Sequence, residues 1–92
     1  MPQPSSGLAE EVAAIAEAIE GRRSEADVAG RIAQALTRCR QSAAGRREQE
    51  ELQTVLDTWQ QVWPRLNSQS EFRQAVAREA RRWSERLSGG RA

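Results

Sequence analysis

Residues 8–21 read LAEEVAAIAEAIEG, and this stretch sets the reading of the whole chain. Leu8, Val12, Ile15 and Ile19 recur at spacings of four, three and four. At about 100° per residue they form one narrow seam along a helix, with Ala9, Ala13, Ala16 and Ala18 around it. No segment alternates apolar and polar residues as a half-buried strand does. Gly21 follows the last seam residue, where a left-handed glycine commonly caps a helix.

The same period continues outward. Ser24 and Asp27 are spaced as a capping box, with Asp shorter than the usual Glu. The helix they open carries Val28, Ile32, Leu36 and Cys39 inward and ends within residues 41–45. A third helix has the widest apolar face: Leu52, Val55, Leu56, Trp59, Val62 and Trp63. Pro64 disfavours helical geometry at the residue before it and marks the expected end. Ser68 and Glu71 supply a second capping box, and Phe72, Val76, Ala80, Trp83 and Leu87 form the inward face of a fourth helix.

Helices are thus predicted over about 8–20, 25–41, 46–63 and 69–87, within one domain spanning 8–87. Residues 1–7 and 88–92 are expected to be disordered tails. Short connections favour antiparallel neighbours, so the predicted fold is all-α: a four-helix up-down-up-down bundle of two antiparallel hairpins. The alternative is a three-helix core with a loosely docked first helix, because that helix has the thinnest seam. Leu, Ile, Val and Phe together make about one residue in six. So sparse a supply would read as disorder beside a high net charge. Here the formal charge is +1, which points to a folded but marginal domain. Marginal cores favour partner binding or self-association, and a homodimer is one expectation.

The charged residues narrow the function. All fourteen cations are arginine, and Lys, His and Tyr are absent. GC-rich coding accounts for abundant Arg and Ala. Whatever its origin, the inventory removes most groups that transfer protons near neutral pH and the usual activators of a nucleophile. Cys39 is the single cysteine and falls on an apolar seam, where burial makes a thiol inert. It leaves no Cys/His metal site and no internal disulfide, and there is no glycine-rich phosphate loop. The chain is expected to be no enzyme and to carry no cofactor. It has no secretion-signal pattern and no membrane-spanning run, so a cytoplasmic protein is expected.

Most charges sit where helix dipoles favour them. Glu10, Glu11, Glu25, Asp27, Glu48, Glu50, Glu51 and Glu71 fall in predicted first turns; Arg38, Arg40, Arg82 and Arg86 fall in last turns. What this leaves unexplained is a stripe on the fourth helix. Arg78, Arg82 and Arg86 are four apart, with Arg81 beside them, and like charges at that spacing oppose the helix. The acidic first helix or another molecule would relieve them. The expected function is a small protein–protein interaction module, an adaptor or regulatory subunit, binding an acidic surface through Arg78, Arg81, Arg82 and Arg86. Trp63 is added as a partly exposed anchor at the bundle end. The alternative is a nucleic-acid accessory protein using the same stripe, with Arg22 and Arg23 from the turn. The near balance of acidic and basic residues disfavours it.

Overall fold

The computed structural model describes residues 4–42 and 47–88. They form α1 (Pro4–Glu20), α2 (Glu25–Ser42), α3 (Arg47–Leu66) and α4 (Ser70–Leu87). Helices of this length are about 26–30 Å long, which matches a molecule measuring 35 × 22 × 20 Å with the helices along its long axis. Long-range bonds give the directions. Cys39 Sγ donates to the Gln49 carbonyl, and Trp63 Nε1 donates to the Glu25 carbonyl, so α2 and α3 run antiparallel. Ser84 Oγ donates to the Ala9 carbonyl at 3.0 Å, while Arg81 reaches Glu20, so α4 runs antiparallel to α1. The fold is the four-helix bundle expected.

The first helix is not loosely docked. It packs against both α4 and α2, and α1 with α4 is the most extensive pairing in the molecule. Leu8, Val12, Ile15 and Ala16 are buried. The reason lies in side-chain size. Ala9 and Ala16 on α1, and Ala77 and Ala80 on α4, are all buried, so small residues let the two backbones approach closely. Between α3 and α4 the large rings of Trp63 and Phe72 meet at 5.9 Å, and those two backbones seldom come near each other. A seam that is thin in leucine therefore marks a close contact. The apolar seam of α1 is covered within the chain.

Several boundaries shift. α1 begins at Pro4, since proline is favoured in a first helical turn, so residues 4–7 are helix where a tail was expected. Glu10 and Glu11 accordingly lie beyond the first turn, which holds no acidic residue. Glu11 instead pairs with Arg38 of α2 at 3.5 Å. In the other three helices the dipole pattern holds in part: Glu25 and Asp27, Glu48 and Glu50, and Glu71 lie in first turns and Arg40 and Arg86 in last turns, whereas Glu51, Arg38 and Arg82 fall outside them. α3 runs through Pro64 to Leu66. Proline costs one backbone bond there but does not stop the last turn. Asn67 covers the exposed carbonyls by donating from Nδ2 to Trp63 and Pro64, at 2.8 and 3.2 Å.

The two capping boxes also differ from expectation. At α2 only half of one forms: the Asp27 N–H donates to Ser24 Oγ at 3.1 Å, while the short Asp27 carboxylate accepts from Arg31. At α4 the N-cap residue is Gln69 rather than Ser68, and it makes no side-chain capping bond. The segment expected to hold the α2–α3 turn, the predicted start at Arg46, and the termini at 1–3 and 89–92 lie outside the described residues.

Candidate functional site: an arginine cleft at one end of the bundle

The turn after α1 closes differently from the glycine cap expected. The Arg22 N–H donates to the Ile19 carbonyl at 3.1 Å, and the Arg23 N–H to the Ala18 carbonyl at 2.9 Å. This paired pattern is a Schellman motif, which requires a left-handed residue at its penultimate position. That residue is Arg22, with φ of 58°, and not Gly21. Gly21 meets a different demand: a Cβ there would stand 3.1 Å from the Glu17 carbonyl oxygen. Left-handed geometry disfavours any residue with a Cβ, so the turn holds Arg22 in a costly conformation.

Arg22 stands at the mouth of an open cleft of about 640 Å³ between the end of α1 and the first half of α4. Three further arginines line it, Arg73, Arg78 and Arg81, together with Glu20, Ser70 and Ala77. The helical period explains the grouping. Arg73, Ala77 and Arg81 form one row spaced by four, in which the small Ala77 leaves a hollow between two long side chains. Arg78 flanks this row.

The cleft arginines differ in their partners. Arg81 is taken by Glu20, through Nη2 at 2.6 Å and Nε at 3.4 Å. That bond draws the Glu20 carboxyl below the usual carboxylate range and raises Arg81 further. Arg22, Arg73 and Arg78 have no ion pair among the described residues. Three guanidinium groups around one cleft thus stand without an ion pair among the described residues, and the carboxylate that lines it, Glu20, is held by Arg81.

The structure splits the predicted stripe. Arg78 and Arg81 line the cleft, whereas Arg82 and Arg86 do not. Arg82 pairs with Glu79 on its own helix at 3.7 Å. Arg86 bridges to Glu48 of α3 at 2.9 Å and lies over the Trp83 ring at 4.3 Å, which makes it a tie between helices. Trp63 is not a partly exposed anchor. It is 3 % exposed, donates its indole N–H to the Glu25 carbonyl at 3.0 Å, and meets Phe72 at a ring distance of 5.9 Å. The start of α2, through the Glu25 carbonyl, and Phe72 of α4 cover the indole. Arg73 was missed because it lies off the Arg78–Arg82–Arg86 line. The signal for it was the Arg73–Ala77–Arg81 row.

Other chemistry is sparse. Cys39 is fully buried, burial pushes its thiol up, and its proton is donated to the Gln49 carbonyl at 3.2 Å. Among the described residues no three Asp, Glu or Cys side chains come together as a metal site. No helix among them is long and apolar enough to cross a membrane. The molecule is therefore a small helical bundle that carries an arginine-lined cleft. No protein-family model, curated protein or solved structure matches the chain.

Proposed function

We propose that this protein is a non-catalytic interaction module that binds an acidic segment of another protein at the arginine cleft, as an adaptor or regulatory subunit. One observation carries the reading: Arg22, Arg73 and Arg78 surround an open cleft and have no ion pair among the described residues. Like charges gathered without counter-charge oppose the fold that gathers them, and an anionic partner reverses that cost. A polyanion such as nucleic acid fits less well. The chain has thirteen acidic residues against fourteen arginines, and Trp59, Trp63 and Trp83 are buried while the partly buried Phe72 packs against Trp63, which leaves little aromatic surface for stacking bases.

The reading places the module inside the cell, where its reduced, buried Cys39 is at home. The test is capture from host extract with the wild-type chain and with Arg73→Glu/Arg78→Glu, each with and without nuclease. The reading expects a protein retained by the wild type, unaffected by nuclease and lost from the variant. Equal capture by both chains, or capture abolished by nuclease, overturns it.

A further inference from the structure

We infer that the group taken by the cleft is a phosphate monoester on a side chain of the partner, a phosphoserine or phosphothreonine, and not a plain carboxylate. This rests on the cleft being the partner-binding site. The molecule contains its own comparison. The Glu20 carboxylate occupies one guanidinium, that of Arg81, with both oxygens engaged. A second carboxylate would satisfy one more arginine and leave the others uncompensated. A phosphate monoester carries nearly two charges and three acceptor oxygens, and so engages several guanidinium forks together.

The start of α4 adds donors. Ser70, its first residue, lines the cleft, and the N-cap Gln69 supplies no side-chain bond to the first-turn N–H groups. Uncapped N–H groups beside arginines suit a compact, highly charged anion. An extended polyanion meets an obstacle, because the Glu20 carboxylate stands in the cleft beside Arg81. The site thus favours a single phosphate over a phosphate backbone.

The test uses four fluorescent probes: degenerate peptide pools with a central phosphoserine, aspartate or serine, and a mixed-sequence single-stranded oligonucleotide. Binding is read by anisotropy at fixed salt. The inference expects the phosphoserine pool to bind at least about tenfold more tightly than the aspartate pool. Arg73→Gln/Arg78→Gln should remove that difference, Arg73→Lys/Arg78→Lys should restore only part of it, and Arg82→Gln should leave it unchanged. Thermal melts establish that each variant folds. Equal binding of the phosphoserine and aspartate pools overturns the phosphate assignment and leaves the interaction module standing. Tightest binding by the oligonucleotide, or no binding by any pool, overturns both.

Discussion

Arg22 is the residue at which structure and function pull apart. A glycine in its place would relieve the left-handed backbone, since φ of 58° costs a residue with a Cβ about 1 kcal/mol. Arg22→Gly should therefore raise stability in urea by up to about 1 kcal/mol while weakening anion binding. A variant that is both less stable and equally good at binding would show that Arg22 serves the turn alone. Glu20 gives a pH signature. Its bond to Arg81 lowers its pKa in the folded state. The stabilisation is therefore present above the ordinary glutamate value of about 4.3 and is lost as pH falls through the lower folded value. Glu20→Gln should lose less stability than the wild type as pH falls from about 5 to 3. Identical acid profiles would mean that the pair contributes nothing in solution. Cys39, buried and bonded to the Gln49 carbonyl, should resist thiol reagents until the bundle unfolds.

At the scale of the helices, size governs spacing. Ala80 is fully buried on the face of α4 that packs with α1, whereas Ala75 is exposed. Ala80→Leu should destabilise the bundle by about 1–3 kcal/mol through overpacking, while Ala75→Leu should leave it within about 0.5 kcal/mol. Equal, small effects would mean that α1 and α4 are not held close by their alanines. This contact also marks the limit of what periodicity discloses. Leu8, Val12, Ile15, Val28, Ile32, Leu52, Leu56, Val76 and Trp83 were all readable as core from the 3.6-residue repeat, and all are buried. The importance of α1 was not readable, because hydrophobic patterns count large residues and a close helix contact is built from small ones. Turn chemistry was legible only in part. Ser24 caps α2 as its spacing suggests, but the left-handed position after α1 is held by Arg22 and not by the neighbouring Gly21, and Pro64 sits inside the last turn of α3 and does not end it.

For the whole molecule, stability is expected to be about 5–14 kcal/mol at this length, so uncompensated charge at one end matters. The bundle gathers there the end of α1, the left-handed turn and the start of α4, and with them Arg22, Arg73, Arg78 and Arg81. The residues are separated by up to about sixty positions in sequence, which is why a stripe along one helix was visible and a cleft across two was not. Arg86 shows the converse: it belongs to the visible stripe, yet its partners Glu48 and Trp83 make it structural. The most direct test of the cleft is an NMR titration of the ¹⁵N-labelled chain with free phosphoserine, following backbone amides and arginine Nε–H signals. Shifts should concentrate at Arg22, Arg73 and Arg78 and in the amides of residues 70–74, with Arg40, Arg47 and Arg65 unmoved. Shifts spread evenly over all the arginines, or none at the cleft, would contradict the account.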